Sequence, residues 1–234
     1  MNITGRPSKN ALYDVLEKQL RQCRGAVGVD AASADFKNRK FFCTDAYYGI
    51  DINLSALQAG IKNADAQTFG IHADLANLDA LSDNSVDVLV STYTLYHMPV
   101  TDRLQALQQV CRIVAPNGTL FVELLLDTDF DVAVSLFQKQ FERVEIMYFK
   151  NRLSQWYISL FTKKDGSMSP LLFTLACRII AWMVGKLEVF TRTRRSGNMH
   201  GLIVCSLKKG SVNRKTFDLS EVKQLGERLY SLDM

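Results

Sequence analysis

The stretch VDVLVSTYTLYHMPVTDRLQALQQVCRIVAPNGTLFVELLL, residues 86–126, contains a complete strand–helix–strand pattern. Residues 86–90 are mostly apolar and β-branched, which predicts a buried strand. A helix is predicted from Pro99, because proline fits the first turn of a helix. The apolar stripe of this helix consists of Leu104, Leu107, Val110, Cys111 and Val114. The Pro-Asn-Gly turn at 116–118 then precedes a second apolar strand at 119–126. Two buried strands joined by a helix predict a parallel pair in an α/β sheet.

The same alternation of strands and helices continues on both sides of this stretch. Residues 10–23 predict an opening helix, and Asn53 is a predicted cap for a helix with Leu54, Leu57 and Ile61 on one face. The other predicted strands are Ala26–Val29, Tyr47–Ile52, Phe69–Ala73, 144–148 and Gly201–Leu207. Residues 151–199 are far more than a hairpin needs, which predicts a helical insertion before the last strand. The sequence therefore predicts one α/β domain over residues 1–234, with a doubly wound, mainly parallel seven-stranded sheet and an antiparallel last strand.

The composition is that of an ordinary globular protein. Of 234 residues, 47% are hydrophobic and 22% are charged, and the formal net charge is +4. This mild excess does not favour a nucleic acid as partner. The five cysteines include no C-x-x-C pair, which is typical of free thiols in a reducing compartment. Residues 1–10 are polar, without the apolar region of a secretory signal. We expect a cytoplasmic protein, and no metal site, because the sequence has no motif of clustered ligands.

Two acidic residues follow consecutive predicted strands. Asp51 ends the second strand and Asp74 follows the third. Ligands of open parallel sheets bind at the carboxyl ends of the strands. There Asp51 could accept hydrogen bonds from both hydroxyls of a ribose, and Asp74 from an adenine amino group. Asp51 follows Asp30 by 21 residues, near the spacing of about 20 between a glycine loop and its ribose-binding acid. Either acid alone is more simply a solvated or capping residue, whereas the two together favour a nucleotide-like cofactor.

Four segments resemble class I methyltransferases, which use S-adenosylmethionine. In chain order they are Tyr48-Gly49-Ile50-Asp51-Ile52, His72-Ala73-Asp74-Leu75, the strand 85–91 with Leu95-Tyr96-His97-Met98, and Arg112-Ile113-Val114-Ala115-Pro116-Asn117-Gly118-Thr119-Leu120. The resemblance covers residues 22–126. It implies a Rossmann-like fold, S-adenosylmethionine as cofactor, and cofactor contacts from Asp51, Ile52, Asp74, Leu75 and Ser91.

The first loop departs from the pattern Asp-x-Gly-x-Gly of this family. The matching stretch is GVDAASA, residues 28–34, in which the acidic and glycine positions are swapped or replaced. Ala32 and Ala34 are small enough for close approach, but alanine tolerates positive φ poorly. The resemblance implies that Gly28, Asp30 and Ala32 lie at the methionine end of the cofactor, with Asp30 either contacting its amino group or only capping the next element. Three consequences of the altered loop are open: a reduced affinity for the cofactor, an altered pose of the cofactor, and the loss of cofactor binding.

Tyr93, Tyr96 and His97 follow the fourth strand, where the resemblance places the pocket for the methyl acceptor. His97 is the best candidate for a general base, because imidazole takes up a proton near neutral pH. Methyl transfer depends more on proximity and alignment than on a base, so His97 could instead fix the turn. The tyrosines could line the pocket, or one of them could belong to the core.

Residues 170–190 are rich in large apolar side chains. Arg178, Lys186 and Glu188 interrupt them, so that no run reaches the roughly 18 residues of a membrane-spanning helix. Three interpretations are open: a helix packed on the sheet or in a dimer, a lid over a hydrophobic acceptor, and a helix at a membrane surface. In the last case residues 170–195 would be the contact, with Trp182 at the level of the headgroups and the arginines 192, 194 and 195 on anionic lipid.

The sequence thus predicts methyl transfer from S-adenosylmethionine to a small-molecule, lipid-linked or saccharide acceptor. The alternative is a catalytically inactive domain of the same fold that serves in binding or scaffolding. The altered loop supports this alternative, and Asp51 and Asp74 oppose it. A nicotinamide-dependent enzyme is disfavoured by the missing G-x-G-x-x-G pattern, and an RNA methyltransferase by the mild net charge.

Overall fold

The computed structural model describes residues 4–127, 129–163, 165–190, 194–195, 197–210 and 213–232. The helices are α1 (Pro7–Leu20), α2 (Leu54–Lys62), α3 (Val100–Ile113), α4 (Phe130–Gln140), α5 (Arg152–Ser159) and α6 (Leu175–Glu188). The strands are β1 (Gly25–Ala31), β2 (Thr44–Asp51), β3 (Thr68–His72), β4 (Val86–Ser91), β5 (Val114–Leu125), β6 (Phe141–Phe149), β7 (His200–Lys208), β8 (Lys223–Gly226) and β9 (Leu229–Ser231). Short 3-10 helices occur at Arg39–Phe41, Leu95–His97 and Pro170–Phe173. This order of elements confirms the predicted α/β class.

The strands form one sheet in the order β6-β7-β5-β4-β1-β2-β3-β9-β8. The pairs β1–β2, β1–β4, β2–β3, β4–β5 and β3–β9 are parallel, and β8–β9 is antiparallel. The prediction of a mainly parallel sheet is confirmed. In the described part of the chain the sheet has two strands more than predicted, because β9 and β8 extend it beyond β3. The exposed, polar strand β8 has no apolar alternation by which the sequence could reveal it.

The turn predicted at residues 116–118 appears as an irregularity within β5. Val86 of β4 pairs with Val114, whereas Val88 already pairs with Thr119. The additional residues of β5 therefore leave the regular ladder, as in a large β-bulge. The predicted stripe of α3 is confirmed at Leu107, which is fully buried.

Contacts within the chain group it into two compact units. The first comprises residues 1–19, 125–127 and 146–202, and the second comprises 20–124, 128–145 and 203–234. The first unit contains α5, α6 and most of α1. The second contains α2, α3, α4 and the strands β1 to β4, β8 and β9. The predicted insertion, 151–199, lies within the first unit, and the prediction of a single domain stays a prediction.

The first unit has a small core of its own. Tyr157, Leu172 and Ala181 are buried together, with Ile158, Phe161, Met168 and Val184 packed around them. Gly185 of α6 lies so close to α1 that a Cβ there would meet the Pro7 carbonyl oxygen at 2.6 Å. Among the described residues, no helix combines the length and hydropathy that crossing a membrane requires.

One buried carboxylate joins two helices of the first unit. Glu188 at the end of α6 is fully buried. It accepts hydrogen bonds from the Asn151 amide at 2.8 Å and from Ser154 Oγ at 2.6 Å, both at the start of α5. Burial raises the pKa of Glu188 above its usual value. A carboxylate at a helix N-terminus satisfies amide groups that have no partner within the helix.

Candidate functional site

The final residues of four neighbouring strands lie at one edge of the sheet. Ala31, the last residue of β1, is opposite Ile50 on one side and Ser91 on the other. Asp51, the last residue of β2, is opposite His72, the last residue of β3. In an open parallel sheet this carboxyl edge is the ordinary place for a ligand. The strand ends that carry the predicted site residues are therefore adjacent.

The loop after β1 has a left-handed backbone at two alanines. The φ angles are +66° at Ala32 and +49° at Ala34. Glycine adopts this region readily, whereas another residue pays about 1–2 kcal/mol for it. If Asp30 is aligned with the acid of Asp-x-Gly-x-Gly, these alanines stand at the two glycine positions. The chain therefore has alanine where the pattern has glycine, with φ angles of the kind that glycine favours.

The carboxylate of Asp51 is tied to this loop. Its Oδ2 accepts the Ala34 amide at 2.8 Å, and its Oδ1 accepts the Asn53 amide at 2.8 Å. The amides of Ala32 and Ser33 donate to the Ile50 carbonyl at 2.7 and 3.0 Å. Asp51 is only half-buried, and each carboxylate oxygen has a second lone pair. The side chain can therefore hold the loop and still accept hydrogen bonds from a diol.

The next two strand ends supply an apolar surface and a second acid. Ile52 is 67% exposed beside Asp51, although it is a large apolar side chain. Asp74 is half-buried, and its Oδ1 accepts the Ala76 amide at 2.9 Å. Leu75 beside it is buried. A flat, partly polar group placed here would find both apolar contact and a hydrogen-bond acceptor.

His72 is a site residue that the sequence interpretation missed. Its Nε2 lies 3.0 Å from the Ile52 carbonyl oxygen, and its Nδ1 lies 3.4 Å from Ser231 Oγ on β9. The imidazole therefore links the turn after β2 to the C-terminal strand. The contact with Ser231 depends on a pairing between residues far apart in the sequence, so no local pattern signals it.

A buried glutamate fixes the turn after β4. Tyr93 has a left-handed backbone, with φ of +59°. Its amide donates to Glu123 Oε2 at 2.6 Å, and Glu123 is fully buried on β5. The sequence interpretation missed Glu123, although a single acid inside the apolar run FVELL is a signal. Ser91 Oγ at the end of β4 is also buried, and it has no hydrogen-bond partner among the described residues.

Arg103 of α3 holds the rest of this turn. Its guanidinium is almost fully buried and donates to the carbonyls of Leu95 at 3.1 Å, Tyr96 at 3.4 Å and Met98 at 3.5 Å. Its Nη1 lies 3.3 Å from Asp129 Oδ2. His97 is exposed, and its ring centroid lies 4.4 Å from that of Tyr96. The three predicted acceptor-side residues therefore share one turn, which Arg103 and Glu123 fix in place.

Comparison with known proteins agrees with this geometry. Residues 25–122 match the family model described as a methyltransferase domain. Residues 25–122 form a class I methyltransferase domain. The matched range covers all the strand ends described above and ends one residue before Glu123. No curated protein matches the chain.

Solved structures of the same fold include enzymes with different activities. A SAM-dependent methyltransferase from Archaeoglobus fulgidus has a TM-score of 0.54 and 14% identity, over 86% of this chain and 93% of that one. The N-methyltransferase NodS from Bradyrhizobium japonicum WM9, in complex with S-adenosyl-l-homocysteine, has a TM-score of 0.53 and 12% identity, over 62% and 81%. The [4+2]-cyclase SpnF has a TM-score of 0.53 and 11% identity, over 87% and 81%. At such low identity the likeness establishes the fold, and a fold hosts several reactions.

Two of the predicted cofactor residues, Asp30 and Gly28, are buried in the interior of this methyltransferase domain. Asp30 is 1% exposed, and it accepts hydrogen bonds from the Tyr47 hydroxyl at 2.7 Å and from Asn38 Nδ2 at 3.2 Å. Burial raises the pKa of Asp30 to about 7, although both hydrogen bonds lower it. Gly28 is buried in β1, where a Cβ would lie 2.5 Å from Thr44 Oγ1. These contacts give both residues a packing role, and their contact with a cofactor stays a prediction.

The methyltransferase domain has no α-helix between β1 and β2. A parallel crossover usually contains one, but here residues 32–43 form turns and a single 3-10 helix. Phe36, with φ of +64°, is buried against glycines of β2, α2 and β3. A Cβ on Gly49 would lie 2.3 Å from the Phe36 ring, and one on Gly60 would lie 2.7 Å from it. This ring therefore fills space that the glycines leave open, and the sequence interpretation missed it.

Proposed function

We propose that the chain transfers a methyl group from S-adenosylmethionine to a small molecule, with lipid-linked and saccharide compounds as the acceptor classes. The observation that supports this most is the loop after β1. Ala32 and Ala34 have the left-handed backbone that glycine would adopt, and Asp51 is hydrogen-bonded to the loop. The loop therefore lies beside Asp51, to which we assign the ribose, although alanine stands at both glycine positions. The S-adenosyl-l-homocysteine complex of NodS supports the same cofactor.

The residues of the carboxyl edge fit the parts of this cofactor. The carboxylate of Asp51 would accept the ribose hydroxyls, the exposed side chain of Ile52 would cover the adenine, and Asp74 would accept its amino group. The loop at Ala32 and the buried Ser91 hydroxyl would face the methionine end. The fit is supported by Ser91 Oγ, which is buried without a partner among the described residues and so can bind a polar ligand atom. Leu75, which is buried, would lie behind the adenine.

The acceptor would be held by the turn after β4. When bound, the cofactor would supply an electrophilic methyl group: the bond between sulfur and methyl breaks as the acceptor's lone pair bonds to the methyl carbon, and the sulfur keeps the electron pair as S-adenosylhomocysteine leaves. The acceptor gives up a proton in the same reaction. Tyr93 and Tyr96 would orient the acceptor, and His97 is the side chain of this turn that can take up the proton. Glu123 and Arg103 fix the backbone that carries these three side chains. Transfer of this kind gains most from alignment, so a rigid turn suits it.

A transfer experiment with isotopically labelled cofactor tests this proposal. The purified chain is incubated with S-adenosylmethionine labelled in the methyl group, together with lipid and saccharide extracts. We expect label in an extractable small molecule with the wild-type chain and much less with Asp51→Ala. Label in no fraction, from protein that binds the cofactor, would contradict methyl transfer to these acceptor classes.

A second candidate is a catalytically inactive domain that serves in binding or scaffolding. It is favoured by the methyl groups of Ala32 and Ala34, which occupy space that glycine leaves open, and by the engagement of both Asp51 oxygens with backbone amides. In that case the wild-type chain would not bind S-adenosylmethionine at millimolar concentration. Replacing both alanines by glycine would then restore binding if only their methyl groups block the site. It would not restore binding if the chain has no cofactor site.

A further inference from the structure

The first unit exposes large apolar side chains on three consecutive elements. They lie on α5, on the 3-10 helix Pro170–Phe173 and on α6, or within two residues after the end of α5 or α6. Their exposed fractions range from 39% to 82%. We call them the apolar face: Leu153, Trp156, Leu160, Leu171, Phe173, Leu175, Ile179, Ile180, Met183, Leu187 and Phe190. Single exposed apolar residues are ordinary, whereas so many within one small unit mark an interaction surface.

The apolar face is not the packed side of these helices. In α6 the buried positions are Ala181, Gly185 and Glu188, three or four residues apart. Ile180, Met183 and Leu187 follow the same spacing on another side of the helix and are 49%, 56% and 55% exposed. The inner side is thus already covered within the unit, and the outer side has apolar contact area left over.

The charge of this segment differs from that of the rest of the chain. Residues 151–199 contain eight lysines and arginines and two acidic residues, so their net charge is +6. The remaining residues contain 20 basic and 22 acidic side chains, so their net charge is −2. One of the two acids, Glu188, is buried. The apolar face therefore occupies a strongly basic part of a chain that is otherwise slightly acidic.

Basic side chains lie within and beside the apolar face. Arg178 and Lys186 are exposed on α6. Lys186 Nζ lies 5.4 Å from the ring centroid of Trp182 and also forms an ion pair with Asp14 of α1. Arg194 and Arg195 are also exposed. Arg192, the third member of the predicted arginine cluster, lies outside the described residues. Apolar and aromatic side chains beside lysine and arginine are the composition of helices that bind anionic membrane surfaces.

We infer that the apolar face binds the surface of an anionic lipid bilayer. The 14 residues of α6 reach about 21 Å at 1.5 Å per residue, which is shorter than the hydrocarbon core of about 30 Å. The helix therefore lies in the plane of the interface, with its apolar side chains in the acyl region and its basic ones at the headgroups. A second copy of the chain is a poorer occupant, because it would bring two segments of net charge +6 together. The inference does not rest on methyl transfer.

Sedimentation with vesicles tests this inference on the full chain. One set of vesicles contains phosphatidylcholine alone, and the other contains phosphatidylglycerol as about one third of the lipid. We expect the chain to sediment with the anionic vesicles, to do so less at high salt, and to remain in solution with phosphatidylcholine alone. The chain has two tryptophans, so Trp182→Phe leaves Trp156 as the reporter. Its emission should shift to the blue when anionic vesicles are added.

Substitutions of exposed residues, compared with matched control substitutions elsewhere on the surface, test whether vesicle binding depends on the apolar face. Ile180→Ser with Met183→Ser, and separately Arg178→Glu, should weaken vesicle binding by about tenfold or more. The controls are Val132→Ser on α4, where the side chain is 52% exposed, and Arg143→Glu on β6, where it is 69% exposed. They should change binding by about twofold or less.

Three outcomes overturn the inference. The first is the absence of sedimentation with anionic vesicles by a folded chain. The second is equal weakening by the face variants and the controls. The third is a concentration-dependent dimer in light scattering that the Ile180→Ser with Met183→Ser variant abolishes, because the face would then be covered by a second copy.

Discussion

The amide of Ala34 donates a 2.8 Å hydrogen bond to Asp51 Oδ2, so the loop after β1 is fastened to the acid at the end of β2. Ala34 has a left-handed backbone, as has Ala32 two residues before it. The hydrogen bond helps to explain why the loop keeps a conformation that alanine disfavours. It also places the backbone of the loop beside the side chain to which we assign the ribose.

Replacing both alanines by glycine should stabilise the domain. The left-handed conformation costs alanine about 1–2 kcal/mol, whereas glycine pays about 0.4–1 kcal/mol for its larger freedom in the unfolded chain. Ala32→Gly and Ala34→Gly are therefore expected to raise the free energy of unfolding by about 0.5–1 kcal/mol each. Urea unfolding measures this effect. The control is Ala59→Gly in the middle of α2, which should lose about 1 kcal/mol. A loss at all three positions would mean that the loop is unstrained.

Replacing Glu123 should release the turn at Tyr93. Glu123→Gln keeps an oxygen that can accept the Tyr93 amide, whereas Glu123→Leu removes this acceptor from the partly buried amide. The leucine variant is expected to lose about 1–3 kcal/mol of stability, and the glutamine variant much less. Urea unfolding of the two variants measures the difference. Equal losses would show that the charge of Glu123 matters and the hydrogen bond does not.

Replacing Arg103 should disturb the acceptor side of the site and leave the cofactor side intact. Arg103→Lys keeps the positive charge but cannot reach the carbonyls of Leu95, Tyr96 and Met98 together. We expect kcat of methyl transfer to fall by about tenfold or more, because alignment of the acceptor is lost. The dissociation constant of S-adenosylmethionine should stay within about twofold of the wild-type value. A variant that loses cofactor binding as well would show that Arg103 supports the whole edge of the sheet.

The buried carboxyl of Asp30 should make stability depend on pH. Its pKa is raised from 3.8 to about 7 in the folded chain, mainly by burial. Between these values the folded chain holds a proton that the unfolded chain has lost. Stability therefore falls as the pH rises through this window, by an amount on the order of 4 kcal/mol, and the loss is complete above about pH 7.

The Asp30→Asn variant should lose this pH dependence, because an amide does not titrate in the range. Urea unfolding at pH 5 and pH 8 compares the two proteins, and the exposed Asp35→Asn variant is the control. From pH 5 to pH 8 the free energy of unfolding of the wild type and of the control should fall by more than that of Asp30→Asn. Parallel curves for all three proteins would assign the pH dependence to other groups.

The positions of the strands along the chain could be predicted from the sequence because their signals are local. Apolar and β-branched runs mark β2 and β4, and the acid Asp51 directly follows such a run. Phe36 and His72 were missed for the opposite reason, since their contacts are not local in the sequence. Phe36 packs against Gly60, and His72 lies within hydrogen-bond distance of Ser231. The residues of each pair are distant in the sequence and come together only when the chain folds. A polar edge strand such as β8 has no periodic signal at all.

Calorimetric titration of the wild-type chain with S-adenosylmethionine is the decisive test of the proposed cofactor site. We expect the wild type to bind, and Asp51→Ala to bind with an affinity about tenfold to a hundredfold lower, because hydrogen bonds to a charged group are removed. Asp45→Ala is the control, since Asp45 lies exposed at the start of the same strand, and it should bind like the wild type. Two results would show that the left-handed loop and Asp51 do not form a cofactor site: absence of binding by the wild-type chain, or binding by Asp51→Ala as tight as that of the wild type.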